Sequence, residues 1–153
     1  MRQPCRECPF RKKSLPGYVG GHADVMEIHT IINADQKFPC HMEVTDIKDD
    51  LLNALGEDED DALGMSDEQA FHEATQEAGH CVGALIYMNQ TCKKSRDPQI
   101  SRLQVEAGKS EEVFASPIDF LGHHGSKDPT FLHMKELRAA NAPKKVARKK
   151  SKA

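Results

Sequence analysis

Hydrophobic residues recur at helical spacing in several short stretches of the chain, separated by polar segments. Val25, Ile28, Ile31 and Ile32 lie at spacings of three and four residues. Apolar positions at this spacing form one face of a helix, which we expect to end near Asn33. The chain therefore begins its regular structure only after about twenty residues rich in Pro, Gly, Cys and basic side chains, which are typical of a loop.

Further helices are predicted downstream. The segment 43–64 predicts a short helix followed by an exposed acidic loop. Ser66 with Gln69 three residues later resembles a capping box, which predicts a helix that runs to Ala78. Helices are also predicted over 82–90 and 130–140, with ambiguous short elements at 100–105 and 113–121. Because no stretch alternates as a strand does, the fold class is predicted to be mainly α, small and irregular.

The composition limits the size of the core and the compartment. The chain has 153 residues, of which 38% are hydrophobic, and a mean hydropathy of −0.63. One modest core is compatible with these values, and two independent cores are not. No apolar run approaches the roughly 18 residues of a membrane span, and the N-terminus lacks the apolar region of a secretory signal. We therefore expect a cytoplasmic protein without membrane contact, in which thiols stay reduced.

The charge is distributed unevenly. The segment 141–153 contains six basic residues and no acidic one, and the net charge of the chain is −3, so the first 140 residues carry −9. Such a tail is predicted to be disordered, because it has nothing to bury. It either increases solubility or binds nucleic acid by releasing counterions. The basic residues concerned are Lys144, Lys145, Arg148, Lys149, Lys150 and Lys152.

Four of the five cysteines form a pattern typical of a metal site. Cys5 and Cys8 have the two-residue spacing that lets two sulfurs face one ion. Cys40 and Cys81 are single cysteines in loops between predicted helices. Cys81 lies close to Gly83, where the backbone can approach a bound group closely. Metal stabilisation of the small domain is therefore predicted, with these four thiolates as ligands.

The nature of the metal remains open at this stage. Structural zinc usually takes its thiolates from two paired motifs, whereas dispersed single cysteines favour a [4Fe–4S] cluster, our first choice. His41 and His80, each next to a cysteine, are expected to hydrogen-bond a thiolate from outside the ligand set. The sequence leaves open the roles of Cys92 and of the His123-His124 pair, which resembles a loop that binds a divalent ion.

These motifs resemble those of a small domain family of unknown function found in actinobacteria and their phages. The shared pattern is Cys-x-x-Cys-Pro-aromatic-Arg from Cys5, Cys-His at Cys40, and Cys-x-Gly at Cys81, and it covers about residues 4–90. The resemblance implies metal binding by the four cysteines but no particular activity. A second similarity is to iron–sulfur transcription regulators of actinobacteria, which also combine dispersed cysteines with a basic C-terminal segment, although in a different order.

We therefore expect three parts in the chain. A four-cysteine metal-binding domain spans 1–92 and contains an acidic insertion at 43–66. An extension of helices and loops follows at 93–140, and the tail covers 141–153. We expect a phage or bacterial accessory protein, in the host cytoplasm if phage-encoded, whose tail contacts DNA, RNA or the transcription machinery. The alternatives are a redox-active iron–sulfur carrier or sensor, and a host-takeover or virion protein that acts by protein contact. No hydrolytic or phosphate-loop motif is present, so a non-enzymatic role is favoured over an enzyme.

Overall fold

The computed structural model describes residues 3–55 and 65–142. Within these ranges the chain forms seven helices and no strand, so the prediction of a mainly helical fold is confirmed. Two isolated antiparallel bridges pair Arg11 with Val113 and Pro39 with His80. The helices are α1 (Val25–Asn33), α2 (His41–Leu55), α3 (Asp67–Glu77), α4 (Val82–Gln90), α5 (Pro98–Ala107), α6 (Pro117–His123) and α7 (Pro129–Ala140).

Local capping signals explain where most helices begin. The Asp24 side chain accepts a hydrogen bond of 2.8 Å from the Met26 amide at the start of α1. At the start of α3, Ser66 and Gln69 form the predicted capping box. Helices α5, α6 and α7 each start with a proline after a capping residue, and prolines suit that position because the first amides of a helix have no intrahelical partner. The capping residues of these three helices are Asp97, Ser116 and Asp128.

Helix α4 lies at the centre of the core. Its residues 83–88 are buried in succession, which explains their uniformly apolar or small character. The Phe10 ring packs at centroid distances of 5.2 Å from Tyr87 and 5.0 Å from Phe120. Since Phe120 belongs to α6 and Phe131 of α7 joins the same cluster, the described part of the segment 93–140 helps to form the core around the N-terminal loop.

Side chains at the end of α4 fix the segment that follows α5. The Gln90 side-chain amide donates hydrogen bonds to the carbonyls of Val113, at 2.8 Å, and Phe114, at 3.1 Å. The Phe114 amide in turn donates to the Phe10 carbonyl at 3.0 Å. The segment around Val113 therefore supports the N-terminal loop that contains Cys5 and Cys8.

Helices α2 and α3 pack side by side and form a separate small apolar cluster of Val44, Ala74 and Ala78. The predicted acidic run at 57–61 falls between these helices and lies outside the described residues, as do all six basic residues of the predicted tail. No helix in the described ranges combines the length and the apolar character that crossing a bilayer requires.

Candidate metal centre

The loops that contain Cys40 and Cys81 are joined by backbone hydrogen bonds. The Cys40 amide donates to the Gly79 carbonyl at 2.9 Å, and the Cys81 amide donates to the Phe38 carbonyl at 2.8 Å. These bonds flank the bridge between Pro39 and His80. Two cysteines separated by 41 positions in the sequence are thereby placed next to each other at the starts of α2 and α4.

The N-terminal pair lies in a turn that packs against α4. The Cys8 amide donates to the Cys5 carbonyl at 3.2 Å, and the Arg11 amide donates to the Cys8 carbonyl at 3.1 Å. Cys8 is fully buried. A β-carbon added to Gly83 would lie 2.1 Å from Cys8 Sγ, so the sulfur occupies the space that any side chain at position 83 would need.

Three of the four thiols are in direct contact. The Cys8 thiol is a hydrogen-bond partner of both the Cys5 thiol and the Cys81 thiol. Cys40 lies within electrostatic range of Cys81 and Cys5. Cys8 and Cys81 are buried, whereas Cys5 and Cys40 are partly exposed. The structure therefore joins three of the four cysteines by hydrogen bonds and places Cys40 within electrostatic range of two of them. Cys92 is exposed and follows the end of α4, whereas Cys81 lies at its start.

The contacts between these thiols displace their pKa values in opposite directions. The hydrogen bond from Cys8 lowers the pKa of Cys5 to about 6, and the same donor lowers the pKa of Cys81. Its hydrogen bonds with Cys5 and Cys81, together with burial, raise the pKa of Cys8. Because one thiol has one proton, Cys8 can donate to only one neighbour at a time. A cation in place of that proton would stabilise all the sulfurs as thiolates at once.

Helix N-termini add to the positive potential at two of the sulfurs. The amides of Gly83 and Ala84 lower the pKa of Cys81, although neither makes a capping hydrogen bond of ordinary geometry. Burial raises the pKa of the Cys40 thiol, and the amides of Glu43 and Met42 oppose that rise. Exposed helix amides favour thiolates for the same reason that they favour other anions.

The described residues do not present an assembled set of metal ligands. Across 3–55 and 65–142, no three Cys, His, Asp or Glu side chains have the arrangement of ligands around one ion. The donor set nevertheless fits a metal centre that prefers thiolate ligands, such as zinc or an iron–sulfur cluster, since four soft sulfur ligands are available within one small region. Gly83 leaves space for the most buried of them.

The two histidines next to the single cysteines are partly buried. Neither ring nitrogen of His80 has a hydrogen-bond partner among the described residues, and the same holds for Nε2 of His41. Burial lowers the pKa of His80 and so favours its neutral form. The hydrogen bonds from His41 and His80 to thiolates remain a prediction, and both nitrogens of His80 have no other hydrogen-bond partner among the described residues.

His123 and His124 hold the loop of the N-terminal cysteines, a role that the sequence did not indicate. His123 Nε2 donates to the Ser14 carbonyl at 2.8 Å, and His124 Nε2 donates to the Pro9 carbonyl at 2.8 Å. These nitrogens are therefore engaged with the backbone and not with a divalent ion. The Gly-His-His-Gly motif gives no signal of this contact, because the partners lie more than 100 residues away in the sequence.

Comparison with known proteins gives no further assignment. No protein family model, no curated protein and no solved structure matches this chain.

Proposed function

We propose that this protein binds one metal centre through Cys5, Cys8, Cys40 and Cys81. The observation that supports this most directly is the contact of the buried Cys8 thiol with both Cys5 and Cys81, in a space that only glycine at position 83 leaves open. Four thiols in one region of the fold, two of them buried and two partly exposed, are typical of a metal site.

A [4Fe–4S] cluster is our first choice for this centre, and zinc is the alternative. The four thiolates come from three separate chain segments, which suits a cluster in which each iron takes one thiolate. When bound, the group would tie the N-terminal turn to the starts of α2 and α4, and an iron–sulfur cluster would also supply electron transfer. A structural zinc ion contributes on the order of 10 kcal/mol to the folding of small domains.

We further propose that the metal-stabilised protein is an accessory protein of phage or bacterial origin that contacts nucleic acid through its basic C-terminal residues. The support is the concentration of six positive charges beyond residue 140 in a chain with net negative charge. Nucleic-acid affinity should then fall steeply with salt concentration, and removal of 141–153 should abolish most of it. Equal binding by the truncated and the complete chain would refute this part.

Metal analysis combined with an absorption spectrum tests the metal proposal. Protein purified without oxygen should contain either about four irons, with a brown colour that bleaches on oxidation, or one zinc and no visible absorption. Cys40→Ser and Cys81→Ser should each reduce the metal content strongly. Cys92→Ser is the matched control, because Cys92 is exposed and lies beyond the end of α4 opposite to Cys81.

Two results would overturn the proposal. One is a folded, anaerobically purified protein with no metal and four thiols that react freely with a thiol reagent. The other is equal metal content in Cys40→Ser, Cys81→Ser and Cys92→Ser. A brown, redox-active sample would favour the carrier or sensor alternative over a purely structural role.

A further inference from the structure

Two exposed aromatic rings line the same cavity. All eight Phe and Tyr residues of the chain lie in the described ranges, and six of them are buried in the core. The remaining two, Tyr18 and Phe71, are 37% and 55% exposed, and both border one cavity of about 480 Å³. A single exposed ring is ordinary on a protein surface. Two rings from distant segments that line one cavity indicate a binding site for a flat apolar group.

The cavity lies between the N-terminal loop, the end of α1 and the α2–α3 pair, and its size is within the usual range of small-molecule sites. Its walls include the rings of His22, Phe38 and His41 besides those of Tyr18 and Phe71. Pro9 and Pro39 also border it, and each adjoins a cysteine of the proposed metal centre. The cavity is therefore a neighbour of that centre, built partly from the same loops.

The charge of the lining differs from that of the rest of the chain. None of the described residues that line the cavity is Asp or Glu, although the chain contains 24 acidic residues. Lys37 lines it, and its ammonium donates one hydrogen bond of 2.8 Å to the Gln76 carbonyl, which leaves two protons for other acceptors. Nε2 of His41 is buried without a partner among the described residues. The site thus offers stacking surfaces and hydrogen-bonding groups, and no carboxylate is among its described lining residues.

A second, basic cavity adjoins the first at Tyr18. It measures about 380 Å³ and is lined by the cations of Arg6 and Lys13 and by one carboxylate, Glu7. Glu7 also lies 4.0 Å from Nε2 of His41, so its charge is partly directed at that ring. Since Tyr18 borders both cavities, a ligand that stacks on this ring can extend a charged group toward Arg6 and Lys13.

We propose that the two cavities together bind a nucleoside phosphate. The base occupies the aromatic cavity against Tyr18 and Phe71, and the phosphate lies near Arg6 and Lys13. Aromatic side chains stack on bases of any sequence, and adjacent cations neutralise the phosphate. The source is either a free nucleotide or an unpaired nucleotide of single-stranded nucleic acid. This inference goes beyond the metal site and the basic tail, and it does not depend on which metal the protein binds.

Calorimetric titration of the complete, metal-loaded protein tests the proposal. The probes are AMP, UMP, adenosine, inorganic phosphate and a short oligothymidylate. AMP should bind more tightly than either adenosine or phosphate. Tyr18→Ala should weaken AMP binding by about tenfold, because the loss of one stacking contact with a base has an effect of this order. Tyr18→Phe keeps the ring and should retain most of the affinity.

Lys13→Gln should weaken AMP binding but leave adenosine binding unchanged, because only AMP has a phosphate. Leu132→Ala, at an exposed apolar position on α7 outside both cavities, is the matched control and should bind like the wild type. An oligothymidylate that binds more tightly than UMP and depends on Tyr18 would identify single-stranded nucleic acid as the source. Equal affinity per site for UMP and the oligomer would identify the free nucleotide.

The proposal is overturned if the wild-type protein binds neither AMP, UMP nor the oligomer, or if Tyr18→Ala and Lys13→Gln bind them as tightly as the wild type. The latter result would place any oligomer binding on the basic tail. Equal affinity for adenosine and AMP would refute the role of Arg6 and Lys13. Metal content should be measured on the same samples. Because Tyr18 is not one of the four proposed metal ligands, loss of nucleotide binding in Tyr18→Ala can then be distinguished from failure of the metal proposal.

Discussion

The sulfur of Cys8 lies against the backbone of Gly83, 2.1 Å from the point that a β-carbon on that residue would occupy. No sulfur and carbon atoms approach so closely without a bond. Cys8 is fully buried and the Phe10 side chain lies 3.5 Å from the same point, so the sulfur can move only if its neighbours in the core move as well. The N-terminal turn therefore packs onto α4 only when position 83 is glycine.

Gly83→Ala should consequently displace Cys8. We expect the free energy of unfolding to fall by about 1–3 kcal/mol, the usual cost of overpacking, and the metal content to drop with it. Gly122→Ala in α6 is the matched control, since its new β-carbon would meet Phe131 at an ordinary 3.7 Å. That variant should be neutral or slightly more stable, because alanine favours helices over glycine. Equal behaviour of the two variants in denaturant unfolding and metal analysis would contradict the packing argument.

The reactivity of Cys5 in metal-free protein should reveal its hydrogen bond from Cys8. That bond lowers the pKa of Cys5 to about 6, so alkylation of Cys5 by iodoacetamide should show a midpoint near this pH. Cys8→Ala removes the donor and should shift the midpoint upward, toward the ordinary thiol value of 9.0. Peptide mass spectrometry after timed labelling measures the rate at this residue alone. An identical midpoint in both proteins would show that Cys8 does not donate to Cys5.

The aromatic contacts of Phe120 couple the two halves of the chain. Its ring packs on Phe10, two positions after Cys8, and on Tyr87 of α4. Phe120→Ala should reduce the free energy of unfolding by about 3–5 kcal/mol and make the buried Cys8 of metal-free protein accessible to labelling. Val105→Ala, at an 83% exposed position, should change stability by less than about 0.5 kcal/mol. Protection of Cys8 that survives in Phe120→Ala would mean that the N-terminal half folds independently.

Burial of His124 should make stability depend on pH. Burial lowers the pKa of this residue, because its Nδ1 is enclosed without a partner among the described residues. When the pH lies between the lowered pKa of the folded protein and the ordinary value of 6.5, His124 is protonated in the unfolded chain but not in the folded protein. The free energy of unfolding therefore contains a contribution that is complete above pH 6.5 and is lost as the pH falls toward the folded-state value.

Denaturant unfolding at several pH values between 5 and 8 measures this dependence. His124→Gln should flatten it, because glutamine can still donate to the Pro9 carbonyl but does not titrate. His133→Gln, at an exposed position on α7, controls for the removal of one histidine. An unchanged slope in His124→Gln would show that this residue does not contribute. Burial lowers the pKa of His29 as well, so part of the slope should persist in the variant.

Local signals in the sequence predicted most of the helices. The apolar spacing of α1 and the capping box of α3 depend on residues within one or two turns of each other, which is why they could be read directly. The apolar pattern of 100–105 is ambiguous between a helix and another short element. Asp97-Pro98, a capping residue followed by a proline at the first helical position, marks the start of α5 more clearly. The same signal precedes α6 and α7. Asp-Pro and Ser-Pro were therefore better indicators of helix starts in this chain than apolar spacing.

The residues of the site could be proposed from the sequence, but their mutual arrangement could not. The two-residue spacing places Cys5 near Cys8 in any fold, whereas the approach of Cys81 requires the long-range packing of α4 on the N-terminal turn. The cavity at Tyr18 and Phe71 gave no signal, because exposure of a ring depends on how distant segments pack. The contacts of His123 and His124 with backbone carbonyls could not be predicted from the sequence for the same reason.

The bridge between Pro39 and His80 closes the base of the α2–α3 hairpin. The positions of Cys40 and Cys81 are set at that base, so the number of residues between them has little influence on where their sulfurs lie. Proteins with the same fold can therefore vary in the length of the segment between the two cysteines and still hold these two residues side by side. A search for relatives should hold the residues around each cysteine constant and let this interval vary freely.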